Sequence, residues 1–110
     1  MIDLVQKKRN EVADLCRKFK VRRLDVFGSA ATMEFEPKRS DLDFLVNFAD
    51  RSPTGEYADR YLGLAEALER LFQRPVDLVT EQSVRNPYFR RTLEATRQMI
   101  YEGHDAEMAV

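Results

Sequence analysis

The stretch FGSAATMEFEPKRSDLDFLV, residues 27–46, decides how this chain is organised. The pair Gly28-Ser29 ends one apolar run, and the acids Asp41 and Asp43 open the next. Glycine at the end of an apolar run is typical of a strand that stops in a tight turn. Two carboxylates this close together repel each other unless a bound proton or cation neutralises their charge. The stretch therefore predicts two strands. It also raises the question of what neutralises the charges of Asp41 and Asp43.

Alternation along residues 41–48 predicts a strand with two different faces. One face is apolar and the other begins with the acids: Leu42, Phe44, Val46 and Phe48 form the first, and Asp41, Asp43, Leu45 and Asn47 the second. The two acids then share one face of the strand, with Cα atoms roughly 6.5 to 7 Å apart.

The remaining patterns predict an ordered series of helices and strands. Helical spacing covers residues 3–19, 57–72 and 88–95, and short apolar runs predict strands over 24–27, 76–80 and 98–101. Asn86 and Pro87 suit the cap and first turn of the last helix. The link between the first two strands is short and contains Pro37, which favours a mixed sheet. The predicted fold class is α/β (α+β), a small mixed β-sheet flanked by helices.

Size and composition restrict the class of protein. The 110 residues suit one domain, which we expect over residues 1–102, with a frayed tail over 103–110. A net charge of -1 argues against nucleic acid as the main partner. The single cysteine excludes an internal disulfide and suits a cytoplasmic protein. No run approaches the roughly 18 apolar residues of a membrane span, so no membrane partner is expected.

A third acid, Asp77, lies inside another apolar run. A lone carboxylate is costly to bury unless it is paired or bound to a metal. Three strand-borne carboxylates would suit Mg²⁺, which prefers hard oxygen ligands. Gly28 permits close approach of the backbone to a ligand, and a turn with the Ser29 hydroxyl can bind phosphate. The residues thus predict a metal-dependent phosphate site made of Asp41, Asp43, Asp77, Gly28 and Ser29.

Each of these features also has an ordinary structural explanation. A Gly-Ser pair alone usually marks a turn, S-D-x-D alone is usually a turn or a helix cap, and a single strand aspartate is usually a hydrogen-bonded polar group. The combination in this order is more specific than its parts. The charged segment 85–97 is predicted to be a mostly solvated helix, with Arg90, Arg91 and Arg97 as candidates to face phosphate.

At these residues the chain resembles the DNA polymerase β-like nucleotidyltransferase superfamily. The matching features are Gly28-Ser29, the pattern S-D-x-D-x-x-V over residues 40–46, and a later strand with Asp77. The size of the chain and the stretch RPVDLVTEQSVRNPYFRRTLEATRQMIYE, residues 74–102, resemble its smallest branch, the minimal nucleotidyltransferases. That branch includes the MNT antitoxins of HEPN–MNT toxin–antitoxin pairs. The resemblance spans about residues 10 to 102.

This resemblance implies a polymerase β-like nucleotidyltransferase fold and Mg²⁺-dependent transfer of AMP from ATP. The acceptor would be a hydroxyl of a partner protein, a HEPN-type toxin, held in a hetero-oligomer. Asp41 and Asp43 would bind both metals of a two-metal site, and Asp77 would bind one metal and act as, or position, the base. Gly28 and Ser29 would bind the triphosphate.

The chain departs from the family pattern within the turn. The family commonly writes Gly-Ser-x-Ala-Arg-Gly, whereas this chain has Thr32 and Met33 at the last two positions. The change leaves the acids intact and affects contacts to phosphate. The changed turn favours one alternative, a catalytically weak or inactive antitoxin that acts by binding alone. A second alternative, a transferase for a small molecule such as an aminoglycoside, also stays open.

Overall fold

The structure is a computed structural model that describes residues 2–32, 41–50, 52 and 54–103. The irregular link expected around Pro37 and the tail from His104 onward lie outside the described residues. Gly103 is described, and its N–H donates to the Arg22 carbonyl at 2.7 Å. None of the helices in these described ranges is long and apolar enough to cross a membrane.

The described part of the chain contains four helices and four strands. Their bounds are α1 Asp3–Lys7, α2 Arg9–Lys18, β1 Val21–Phe27, β2 Leu42–Phe48, α3 Gly55–Phe72, β3 Val76–Thr80, α4 Pro87–Thr96 and β4 Gln98–Glu102. Two short 3₁₀ turns follow β1 and β3, over Gly28–Ala30 and Glu81–Ser83. The Asn86 side chain accepts hydrogen bonds from two N–H groups of the first turn of α4, as its sequence predicts.

The four strands form one mixed sheet in the order β3-β2-β1-β4. Strand β1 is antiparallel to both β2 and β4, whereas β2 and β3 are parallel. This arrangement confirms the mixed sheet and the fold class predicted from the sequence. The parallel pair matters for function, because it sets the residues of β2 and β3 side by side in register.

The two faces of the sheet are covered differently. Helices α1, α2 and α3 pack on the face that carries Phe44 and Val46, and together they form the main core. On the opposite face, Leu93 of α4 packs with Phe27 and Leu45 in a smaller buried cluster. Since Asp43 lies on the same face of β2 as Leu45, the acids belong to the face that α4 packs against.

The first helix differs from its prediction over residues 3–19, because it breaks at Lys8. The N–H of Ile2 donates to the carbonyl of Ala30 at 3.1 Å, which ties the start of the chain to the turn after β1. Val5 and Val12 are both fully buried on either side of the break. The bond from Ile2 to Ala30 is a tertiary contact that helical periodicity does not report.

A buried ion pair joins α4 to the sheet. Asp25 of β1 is fully buried and is bound by Arg97, the residue after α4, and by Arg23 at 3.0 Å. Arg97 also meets Glu81 at 3.4 Å. Burial alone would lower the pKa of Arg97, but its bonds to Glu81 and Asp25 raise it. Arg97 is therefore occupied within the protein and is a poor candidate to bind phosphate.

Replacement of Arg97 by Met should lower the free energy of unfolding by about 3 kcal/mol, because it leaves the carboxylate of Asp25 buried with one partner fewer. Urea unfolding at pH 7 measures this loss. The exposed Arg91 on the same helix is the control, and Arg91→Met should change stability by less than about 0.5 kcal/mol. If both variants lose the same free energy of unfolding, the buried ion pair does not stabilise the fold more than an exposed arginine does.

Candidate nucleotide and metal site

Two of the predicted acids meet across neighbouring strands. Asp43 of β2 lies directly opposite Asp77 of β3 in the parallel ladder, one position before the pair Phe44 and Leu78. Residues opposite each other in a ladder point to the same face, with strands roughly 4.8 Å apart. Asp43 is half-buried and Asp77 is exposed, so the pair lies at an accessible edge of the sheet.

The third acid, Asp41, is exposed and lies just before β2 begins. It still acts on Asp43, whose pKa rises to about 6 through burial first and then through the charges of Asp77 and Asp41. Asp43 therefore lies within reach of the charges of both other acids. The repulsion among the three carboxylates is lowered either by a proton on Asp43 or by a divalent cation.

The arrangement of the three carboxylates does not by itself define a metal site. Among the residues that the structure describes, no three acidic, histidine or cysteine side chains are arranged so that they could hold a metal ion. What fits Mg²⁺ here is the chemistry of the donors, hard carboxylate oxygens whose repulsion a divalent ion would relieve. A single Mg²⁺ bound by Asp41, Asp43 and Asp77 together stays a prediction.

The turn after β1 lies against Asp43. Gly28 has a φ of +69°, in the left-handed region, and Phe27 is the register partner of Asp43. A Cβ atom at Gly28 would lie 2.8 Å from Oδ2 of Asp43, which is closer than real Cβ atoms come. Glycine is thus needed here for two reasons, its backbone angle and the carboxylate beside it.

The rest of the turn closes on itself. The N–H groups of Ala31 and Thr32 both donate to the Gly28 carbonyl, at 3.1 and 3.3 Å. The hydroxyl of Thr32 donates to the carbonyl of Ser29 at 3.4 Å. Thr32 therefore stabilises the turn at the position where the family commonly has Arg. Ser29 is half-buried in the middle of the turn, and Met33 lies outside the described residues.

One contact to the turn was not predicted from the sequence. The N–H of Gly28 donates to Oγ1 of Thr96, the last residue of α4, at 3.1 Å. The two residues are far apart in the chain, and threonine near the end of a helix is unremarkable by itself. The sequence contains no signal for this contact, because it depends on how α4 packs on the sheet.

Comparison with known proteins agrees with the site described above. Residues 9–100 match the family model described as a nucleotidyltransferase domain. The chain therefore belongs to the nucleotidyltransferase domain family, and its enzyme class is confirmed. The match covers β1, β2, β3 and the first part of β4, together with the residues Gly28, Ser29, Asp41, Asp43 and Asp77.

Individual relatives support the same family. A Methanocaldococcus jannaschii protein, provisionally named a protein adenylyltransferase, is 37% identical over 84 residues, 76% of this chain and 79% of that protein. A solved structure described as a minimal nucleotidyltransferase has 31% identity and a TM-score of 0.69, covering 88% of this chain and 95% of that one.

A third comparison concerns a toxin–antitoxin complex. A chain in the solved structure of a tri-AMPylated Shewanella oneidensis HEPN toxin with its MNT antitoxin has a TM-score of 0.62. Its identity is 20%, and the match covers 94% of this chain and 77% of that one. At this identity the comparison confirms the predicted fold.

Asp43→Asn should stabilise the metal-free protein by about 1 kcal/mol at pH 7.5. The pKa of Asp43 is raised in the folded state, so ionisation of Asp43 disfavours folding, and stability falls as the pH rises from about 4 through about 6. Without solvent screening, the raised pKa corresponds to a destabilisation of about 3 kcal/mol. Solvent screening of this half-exposed carboxylate reduces the destabilisation to about 1 kcal/mol.

Urea unfolding in the presence of a chelator measures that gain. Asp59 on the exposed surface of α3 provides the matched control, and Asp59→Asn should leave stability unchanged within about 0.5 kcal/mol. A loss of stability in Asp43→Asn would mean that the carboxylate supports the fold rather than a ligand site.

Proposed function

We propose that this protein is a Mg²⁺-dependent nucleotidyltransferase that moves AMP from ATP onto a hydroxyl group of a partner protein. The observation that carries the proposal is the pair of Asp43 and Asp77 with the Gly28 turn packed against it. Carboxylates for a cation and a tight backbone turn for phosphate are the two parts that such a reaction needs.

Each acid has a role that fits its exposure. Asp41 and Asp43, on one strand, are the proposed ligands of both metals, and Asp77 is the proposed ligand of one. Because Asp77 is exposed, an acceptor hydroxyl can reach it from outside and give up its proton there. Two bound Mg²⁺ ions would stabilise the attacking and leaving oxygens.

The proposed bond changes balance at the α-phosphorus of ATP. The acceptor oxygen forms a bond to this phosphorus, the bond to the bridging oxygen breaks, and pyrophosphate leaves. The turn of Gly28 and Ser29 holds the triphosphate while this occurs. We place the reaction in the cytoplasm, where ATP and Mg²⁺ are both available.

We propose a HEPN-type toxin as the partner, because the related fold in the Shewanella oneidensis complex belongs to a pair whose toxin is AMPylated. The aromatic residues at the start of α4 are suited to such a contact. Tyr88 is 75% exposed, whereas Phe89 lies edge-on to the ring of Phe27 at 5.9 Å. Phe89 therefore secures α4 to the sheet, and Tyr88 is available as an interface anchor.

The test is the intact mass of a HEPN-type toxin after incubation with this protein, Mg²⁺ and ATP. The toxin should gain whole AMP units. Asp43→Asn should lower the rate by at least about 100-fold through loss of a metal ligand, and Asp59→Asn should not change it. Transfer that persists in Asp43→Asn would contradict the proposed role of the pair.

A second function is favoured by one observation. Thr32 replaces the Arg common in the family, and its hydroxyl turns back to the Ser29 carbonyl. An antitoxin with weak nucleotide binding could neutralise the toxin by contact alone. In that case the toxin would bind tightly without any mass increase, and the Asp43→Asn variant would still protect cells.

Tyr88→Ala should weaken binding of the toxin about tenfold or more, because a buried tyrosine in an interface is often a hot spot. Isothermal titration calorimetry measures the dissociation constant. Leu62→Ala is the matched control, since Leu62 is 57% exposed on α3, which packs on the other face of the sheet. Equal affinities for Tyr88→Ala and the unmodified protein would remove α4 from the proposed interface.

A further inference from the structure

We propose that Thr96 is a positioning residue of the nucleotide site, which holds the Gly28-Ser29 turn at a fixed distance from Asp43. The inference rests on the proposed function, because it concerns the same site. The hydrogen bond of Thr96 goes to the N–H of Gly28, so its effect would pass through the backbone of Gly28.

The direction of the hydrogen bonds at Thr96 is determined by its partners. Its hydroxyl donates to the carbonyl of Thr92 at 3.1 Å, one turn earlier in α4. A hydroxyl has one proton to donate, so the lone pairs of Oγ1 are left to accept the N–H of Gly28. The two bonds together fix the orientation of the Thr96 side chain and link it to the Gly28 turn.

The turn lies close to Asp43 because residue 28 is glycine: a Cβ atom there would lie 2.8 Å from Oδ2 of Asp43. The hydrogen bond to Thr96 ties this glycine to α4, and the bond from the N–H of Ile2 to the carbonyl of Ala30 ties the turn to the start of the chain. The hydroxyl of Thr96 is therefore one of the contacts that hold the proposed phosphate-binding turn beside Asp43.

The helix that carries Thr96 is itself firmly placed. Its neighbour Arg97 is bound to the buried Asp25 and to Glu81, and Leu93 one turn earlier is fully buried. A hydrogen bond from a rigid element transmits position, whereas one from a mobile loop would not. Transfer reactions depend strongly on such placement, because misplacement of reacting groups by about 1 Å can cost 100-fold in rate.

The experiment compares Thr96→Val with Thr96→Ser. Valine keeps the shape of threonine and removes the acceptor, so KM for ATP should rise about tenfold, as expected for a displaced phosphate-binding turn. Serine keeps the hydroxyl and should restore KM to within about twofold. Thr92→Val is the control, because the Thr92 side chain is exposed and Thr96 bonds only to its backbone carbonyl.

A second readout does not require activity. Hydrogen exchange of the Gly28 amide, followed by NMR without nucleotide, should be about tenfold faster in Thr96→Val than in Thr96→Ser. Faster exchange together with the rise in KM supports the inference, also if Thr96→Val melts at a somewhat lower temperature. If both substitutions raise KM equally, or if neither does, the inference is overturned.

Failure of the proposed function has a different signature. If the unmodified protein neither binds ATP with Mg²⁺ nor transfers AMP, the proposed function and the role of Thr96 in it both fail. If the unmodified protein transfers AMP and Thr96→Val does so with the same KM, only the positioning role fails.

Discussion

Repulsion between Asp43 and Asp77 is the constraint on which the rest of this structure depends. Parallel strands in register set the two carboxylates opposite each other, and Asp41 adds a third charge nearby. Such a group raises the free energy of the folded protein unless a proton or a cation is present. A chain that keeps it must recover the stability elsewhere and must leave the group open to a ligand.

The two faces of the sheet provide stability and ligand access separately. The face against α1, α2 and α3 carries the main apolar core, which stabilises the domain. The other face carries the acids, and there α4 is fixed by the buried pair of Asp25 and Arg97. Through Thr96, the same helix reaches the Gly28 turn. The proposed site is therefore built on rigid elements at one edge of the sheet.

Patterns local in the sequence were predictable, and contacts between distant segments were not. Alternation over residues 41–48 correctly placed Leu42 and Phe44 in the core, because a strand with one buried face must alternate. The Asn86 cap was also found, since capping depends on adjacent residues. By contrast, the bond from Gly28 to Thr96 depends on where α4 packs, and the bond from Ile2 to the carbonyl of Ala30 depends on where the start of the chain meets the turn after β1. Neither leaves a local signature.

The most direct test of the central claim is a crystal structure of the protein with Mn²⁺ and a non-hydrolysable ATP analogue, in which anomalous scattering locates the metal. We predict a metal peak between Asp43 and Asp77 about 2.1 Å from a carboxylate oxygen of each, with the triphosphate on the Gly28 turn. A bound nucleotide whose metal lies away from both carboxylates would contradict the account.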